Sequence, residues 1–332
     1  MPKKTEVDLL EAHWSADHMV TDRETLERFV GYEVDEGRRT ATITFRRPEK
    51  LNAIPVAGFE VVGDYVKEAE ADDRVKVIVF RGEGECFGTG ADGDELGFYI
   101  GYGSGKDKEG RRRPPQRTRM LPDRNLLFGA FNNRISNCLK ATICQVHGYC
   151  YGGHMQIALA ADIVICSPEA TFTHPAFRYL GAGPQDIVQW IENLGIKKAK
   201  EIMLTMRPLL ADEAERCGFV NKVVPRDELD QWVADYAEAI SFMPLDGIMI
   251  GKSMMQLAQN ARGAAIGEIG AWVAHGWATN LGLDDGDWNF IKERRDKGLS
   301  KALKDRDAAV APYFRMGGRS GPRKVKDEGG QS

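Results

Sequence analysis

Two short glycine-rich stretches carry the most specific chemistry in this sequence. The first runs Gly82-Glu83-Gly84-Glu85-Cys86-Phe87-Gly88-Thr89-Gly90-Ala91-Asp92, the second Val146-His147-Gly148-Tyr149-Cys150-Tyr151-Gly152-Gly153-His154. Glycine lets a backbone turn sharply and lets a ligand approach its N–H groups with no Cβ in the way. Each stretch follows an apolar run, and the second also opens an apolar helical segment. A helix N-terminus presents unsatisfied N–H donors and about half a positive charge, which suits an anion or a developing oxyanion. Two such turns can supply two donors to one oxygen. Nucleotide binding competes for the same glycines and fails in detail. Neither stretch combines GxGxxG with an acidic residue about 20 positions on at the end of a second strand, and no GxxxxGK[ST] occurs.

The elements that must position these turns are legible from periodicity. Tyr32 to Val34, the turn-like Asp35-Glu36-Gly37, and Thr40 to Phe45 alternate in the manner of a β-hairpin. Val56, Phe59, Val62, Val66 and Ala69 share one helical face, and Val75 to Phe80 reads as a buried strand. A second copy of this order follows: a strand from Ala141 to Val146, a helix from Gly153 to Ala161, a strand from Asp162 to Cys166 and a short one at Ala170 to Phe172. From Lys197 the pattern is mostly helical, over Ala211 to Cys217, Leu229 to Ile240, Asp246 to Ala261 and Ile291 to Ala309. The expected division is a helical extension over 1–30, a core over 31–240, a helical C-terminal region over 241–314 and a polar, disordered tail over 315–332. Residues 99–124 interrupt the core with Lys106, Lys108, Arg111, Arg112, Arg113, Arg117, Arg119 and Arg124, as either a solvated surface loop or an anion-binding lid.

Composition removes several classes. Among 332 residues, 45 Lys plus Arg against 49 Asp plus Glu leave a net charge of −4, which argues against a basic nucleic-acid binder. At 42% hydrophobic and 28% charged, the chain has the composition of a globular protein. No apolar run approaches the ~18 residues of a membrane span. No secretory leader is visible, so the cytoplasm is the expected location. Cys86, Cys138, Cys144, Cys150, Cys166 and Cys217 form no CxxC pair and no zinc spacing, so free thiols and no metal are expected.

Four segments in order resemble the signatures of one superfamily: FRRPEKLNAI (45–54), CFGTGADGDEL (86–96), VHGYCYGGHMQIALAADIVIC (146–166) and LLADEAERCGFVNKVVP (209–225). Over about residues 30–310 the chain is similar to the enoyl-CoA hydratase/isomerase superfamily, the crotonases. The resemblance implies an α/β spiral of ββα repeats with a helical C-terminal trimerisation region. It also implies assembly as a homotrimer or dimer of trimers, an acyl-CoA substrate, and no tightly bound cofactor beyond the coenzyme A that the substrate brings. The two glycine turns would then form an oxyanion hole from the N–H groups of Ala91 and Gly153. Such a hole stabilises the charge that develops on a thioester carbonyl oxygen, each donor contributing about 3 to 4 kcal/mol. Lys50, Leu51, Ala53 and Gly88 would lie along coenzyme A. Lys292, Arg295 and Lys301 would either meet its phosphates or form a solvated helix face.

The sequence departs from the family where hydratases carry two glutamates. Counting from Gly153, the first falls on Gln156 and the second on Ala176 or Phe177. None of these exchanges protons in ordinary acid–base catalysis, which argues against a plain two-glutamate hydratase. Asp186 is a substitute acid or base, or else a helix cap. His174 has a pKa range suited to a base, or is a satisfied structural histidine. His154 should face away from Gln156 and serve structure; Glu95, Tyr149 and Tyr151 are further pocket candidates. The resulting expectation is isomerisation or hydration/dehydration of an unsaturated acyl-CoA through non-standard acid–base groups. Hydrolytic opening of a cyclic β-keto acyl-CoA, or acyl-CoA binding with little catalysis, are the alternatives.

Overall fold

The computed structural model describes residues 20–93, 95, 131–175, 186–278 and 284–316. Helix α1 (Arg23–Phe29) starts on Asp22, whose carboxylate accepts from the Thr25 N–H at 2.9 Å. It leads into β1 (Val30–Asp35), which pairs antiparallel with β2 (Thr40–Phe45) in the register Val30 to Phe45. The hairpin that alternation predicts is therefore present, two residues longer at its start. Helix α2 (Gly58–Ala71) crosses to β3 (Val77–Gly82), parallel to β2. Beyond α3 (Asn133–Ser136), β4 (Ala141–Val146) joins parallel to β3.

From β4 onward the chain repeatedly leaves this sheet for a second, smaller one. β5 (Tyr149–Tyr151) follows β4 after a two-residue corner, and α4 (Gly153–Ala160) returns the chain to β6 (Ile163–Cys166), parallel to β4. β7 (Thr171–Thr173) then pairs parallel with β5, and β8 (Leu209–Leu210) pairs antiparallel with β7. β9 (Lys222–Val223) completes the six-stranded sheet beside β6. Successive turns of chain thus stack, each giving one strand to either sheet, as the spiral of ββα repeats requires.

The large sheet is covered on both faces, which is why its strands read as near-continuous apolar runs. Alternate residues separate the two sides. Ile78, Phe80, Cys144 and Val146 pack with α2 and α4, while Val77, Val79, Ile143 and Ile165 pack beneath Leu229, Val233 and Ala237 of α8 (Leu229–Ser241). Between β7 and α8 lie α5 (Ile187–Leu194), α6 (Ile196–Thr205) and α7 (Ala211–Cys217).

The C-terminal region is helical as expected: α9 (Leu245–Ala261), α10 (Ala264–Ala278), α11 (Phe290–Lys297) and α12 (Leu299–Val310). The single helix read over 291–309 is corrected to two, because Gly298 sits between them at φ +79° and breaks the run. Helix α9 buries none of its residues within one chain. It exposes Ile250, Met254, Met255 and Leu257, and α10 exposes Ile266 and Ile269. Among the described residues no helix is long and apolar enough to cross a membrane. The basic segment 99–124, most of the tail, Ala176, Phe177 and the first 19 residues lie outside the described residues.

One side chain knots the hairpin to the first glycine turn. Asn52 is fully buried at φ +54°. Its amide donates to the carbonyls of Glu83 at 2.8 Å and Cys86 at 2.7 Å, and its oxygen accepts from the Arg47 N–H at 2.9 Å. Asn52→Ala should lower stability by about 2 to 3 kcal/mol in urea unfolding, because three backbone groups, one buried and two partly buried, lose their partner. A loss under about 0.5 kcal/mol would show that water replaces the amide there.

Candidate active site

The two glycine turns meet. Gly88 bridges to Cys150, with its N–H donating to the Tyr149 carbonyl at 2.8 Å and its carbonyl accepting from Tyr151 at 2.9 Å, so residues 87–88 extend the edge of the small sheet. Two residues on, the backbones approach so closely that a methyl group on Gly90 would lie 3.2 Å from Gly152 Cα and 3.3 Å from the Gly153 nitrogen. Gly90 and Gly152 take φ of +95° and +61°, which side-chain-bearing residues rarely adopt.

This contact places the two expected donors. Gly153 is the first residue of α4, and its N–H has no intrahelical acceptor by construction. The Gly90 carbonyl accepts from the Ile54 N–H at 3.1 Å, and Asp92 N–H donates to the Ile54 carbonyl at 2.7 Å. Across a trans peptide the N–H points opposite to the C=O, so Ala91 N–H is turned away from the 52–54 segment. Neither the Ala91 nor the Gly153 N–H has a backbone acceptor among the described residues. Two free donors from touching backbones, one of them at a helix N-terminus, can stabilise one oxyanion.

Around the donors the charges are paired. Asp92 is buried and bonded to Arg47 at 2.7 Å, with Lys50 at 3.5 Å. Arg47 also donates to the Ala53 carbonyl at 3.0 Å and lies 4.6 Å over the Phe29 ring. The predicted coenzyme segment thus runs beside Gly90 to Asp92: Lys50 with a half-exposed ammonium, Leu51 with its carbonyl accepting from Thr89 Oγ1 at 3.2 Å, and Ala53 held by Arg47. Arg294 of α11 donates to the Gly93 carbonyl at 2.7 Å, so the C-terminal helices reach the first turn. Lys292 is exposed on α11, and Lys301 pairs with Asp305 at 2.9 Å on α12; the Arg295 side chain lies outside the described residues. Arg47 and Ile54 lie within the 45–54 signature, but nothing in the sequence assigns either of them, or Arg294, a contact with the first turn.

The acid–base candidates separate. Gln156 is buried in the first turn of α4. His174 is buried between two contacts with the second turn, where the Thr173 carbonyl accepts from Gly152 N–H at 3.1 Å and the Pro175 ring packs on Gly152. Asp186 caps α5, its carboxylate accepting from Val188 at 2.9 Å and Gln189 at 3.2 Å. Burial pushes it up to about 6 against those two bonds, and the carboxylates of Glu268 and Glu192 add to the rise. Helix α5 packs on α4, and Gly267 of α10 passes directly over the Asp186 carboxylate. Glu268 is held by Asn133 Nδ2 at 2.9 Å.

Glu95 is corrected from pocket candidate to structural anchor. Its two oxygens accept from the N–H groups of Val20 at 2.9 Å and Val56 at 2.8 Å, which ties the N-terminal segment to the start of α2. Tyr151 shares a hydrogen bond with Thr171 at 3.2 Å and stands 5.1 Å from the Tyr149 ring, both on the small sheet. Cys86, beside the first turn, is pushed up to about 11 by burial and stays a thiol at neutral pH. No cluster of metal-ligating side chains occurs among the described residues.

Two histidines of the second turn hold the first. His147 Nε2 bonds the Gly84 carbonyl at 3.0 Å, and His154 Nδ1 accepts from the Gly90 N–H at 3.0 Å. The first of these had no sequence signal, since its partner is a backbone oxygen.

A doubly layered spiral whose two glycine turns converge defines the crotonase class of α/β proteins. The sequence pattern of the enoyl-CoA hydratase/isomerase family matches residues 35–269, and the chain belongs to that family. It is 28% identical over 261 residues to EchA13 of Mycobacterium tuberculosis, covering 74% of this chain and 79% of that one. A 4-chlorobenzoyl coenzyme A dehalogenase of an Arthrobacter species is 29% identical over 206 residues, 61% of this chain and 70% of that one. A crystal structure of enoyl-CoA hydratase from Mycobacterium smegmatis superposes with TM-score 0.74 at 26% identity, covering 88% of this chain and 97% of that one.

The buried histidine gives a pH signature with a definite sign. Burial pushes His154 down to about 3, so the folded protein excludes a proton that the unfolded chain binds below its ordinary 6.5. The associated stability is complete above pH 6.5 and declines as pH falls from there toward 3. Asp186 works in the opposite sense, so the comparison is with His154→Asn. Between pH 7 and pH 5 the wild type should lose about 2 kcal/mol relative to that variant in urea unfolding. Parallel pH curves would contradict a neutral imidazole.

Proposed function

We propose that this protein processes an acyl-CoA by holding the thioester carbonyl oxygen between the N–H groups of Ala91 and Gly153 and stabilising the enolate that forms there. The single observation that carries this reading is the pair of unspent donors on two touching backbones. Proton transfer runs through groups other than two glutamates. Gln156 on α4 orients by hydrogen bonding, and Asp186, with a pKa near 6, takes and returns the proton, His174 standing as its alternative. The reaction is isomerisation or hydration/dehydration of an unsaturated acyl-CoA. Coenzyme A lies along Lys50, Leu51, Ala53 and Gly88. The buried thiols fit a reducing compartment such as the cytoplasm.

The test is a panel of linear, aromatic and alicyclic CoA thioesters followed by mass spectrometry. At least one should be converted, with a rate that rises with pH through about 6 as Asp186 ionises. Asp186→Asn should lower kcat by about 100-fold or more while binding persists. Rapid hydration of crotonyl-CoA that survives Asp186→Asn would return the site to an ordinary hydratase. Binding with no conversion anywhere in the panel would leave an acyl-CoA-binding protein.

The apolar surface of α9 and α10 is covered by further copies of the chain in a homotrimer or dimer of trimers, since contiguous exposed patches of this kind mark association surfaces. Light scattering should give a multiple of three times the 36.9 kDa chain mass. The double variant Ile250→Glu, Met254→Lys should shift it toward one chain. A wild-type mass of a single chain would overturn this assembly.

A further inference from the structure

His154 follows the donor Gly153 in the chain, yet its side chain serves the other turn. The residue is fully buried, and its ring sits among those of Phe45, Phe59 and Phe87, with centroids 4.2, 5.9 and 5.5 Å away, each approached edge-on. Its Nδ1 accepts from Gly90 N–H at 3.0 Å, while Nε2 has no partner. An imidazole accepting at Nδ1 carries its proton on Nε2, so one buried N–H is left unpaired. An unpaired buried donor is costly. A residue present only to fill an aromatic box would be apolar, and the one polar contact that the His154 side chain makes among the described residues is with Gly90.

That contact lies one peptide from the donor. Gly90 has two backbone hydrogen-bonding groups, and both are held: its N–H by His154 and its carbonyl by Ile54 N–H at 3.1 Å. The two bonds fix the peptide planes on either side of a glycine, the residue with the widest backbone freedom. The second of those planes carries Ala91 N–H. The ring also lies flush on Gly88, where a methyl group would come within 2.2 Å of the imidazole, so the histidine is fitted to the whole turn.

We propose that His154 is a positioning residue that sets the direction of the Ala91 N–H and so the strength with which the site holds an enolate oxygen. This rests on the acyl-CoA reading above. It assigns the second turn two tasks: Gly153 gives one donor and His154 aims the other.

Acetoacetyl-CoA is the probe, because its enolate absorbs in the near ultraviolet and its carbonyl oxygen is the atom the donors would hold. The enolate absorbance of the bound thioester is titrated with pH in wild type, His154→Asn, His154→Gln and His154→Leu, each checked for folding by circular dichroism. The Asn side-chain oxygen falls near the place of Nδ1, whereas Gln overshoots it and Leu has no acceptor. Wild type and His154→Asn should give similar, lowered enolate pKa values. Whichever of His154→Gln and His154→Leu folds should raise that value by about one to two units, a 10- to 100-fold loss of enolate stabilisation, with little change in the Kd for coenzyme A. Identical titrations in all folded variants, or equal shifts for Asn and Gln, would reduce His154 to core packing and overturn the proposal. Failure of the wild type to bind acetoacetyl-CoA at all would instead remove the acyl-CoA reading, and this assignment with it.

Discussion

The close passage of Gly90 against Gly152 is the constraint on which the rest of the site depends. Two main chains that touch at Cα need both residues to lack a side chain and both to adopt positive φ. Once they touch, the Gly153 nitrogen and the peptide that carries Ala91 N–H are brought to the same place. The strands behind each turn supply the rigidity. β3 and β4 are central and parallel, buried on both faces, and the turns that follow them exit at the same end of the sheet. Side-chain packing in the core thereby fixes backbone geometry at its rim.

The first turn is a loop rather than a strand, and it is held by hydrogen bonds from three directions. Asn52 ties residues 83 and 86 to the hairpin, Ile54 and Arg47 hold residues 90 to 92, and His147 and His154 reach across from the second turn to Gly84 and Gly90. Each bond contributes about 1 kcal/mol on its own. Their combined effect is to remove the freedom that so many glycines would otherwise give the segment, which is what a preorganised donor requires.

Much of this was legible from the residues. Period-2 alternation located β2 to its exact ends because one face of it is core, and the apolar runs located β4 because both faces are. The glycine stretches pointed to turns with accessible N–H groups, and the Ala91 and Gly153 N–H groups have no backbone acceptor among the described residues. Other features were not legible. Val20 N–H finding Glu95, or Gly93 finding Arg294, joins positions far apart in sequence, and any carboxylate or guanidinium would look alike there. The helix over 291–309 reads as continuous because its charge pattern runs through Gly298, whose positive-φ extended geometry only the fold reveals. Asp186 reads from the sequence as either cap or acid, and it is a cap whose burial also lifts its pKa, so the two readings are not exclusive. The bond from Gly90 to His154 depends on which nitrogen faces which turn, a matter of orientation that spacing cannot express.

The donors of this site belong to the main chain, and that has a consequence for how the protein can change. A point mutation replaces side chains and leaves N–H groups in place, proline alone removing one. Ala91 can therefore be exchanged for many residues without erasing the donor, while Gly90 and Gly152 tolerate almost none. On the acyl-CoA reading, oxygen-holding capacity is encoded by what is missing from two positions, and the proposed proton-handling groups are encoded separately, on α4, just after β7 and at the cap of α5. Mutation can rewrite the second set while the first persists, so a chain of this kind can alter which bond it makes or breaks without first losing its grip on the carbonyl.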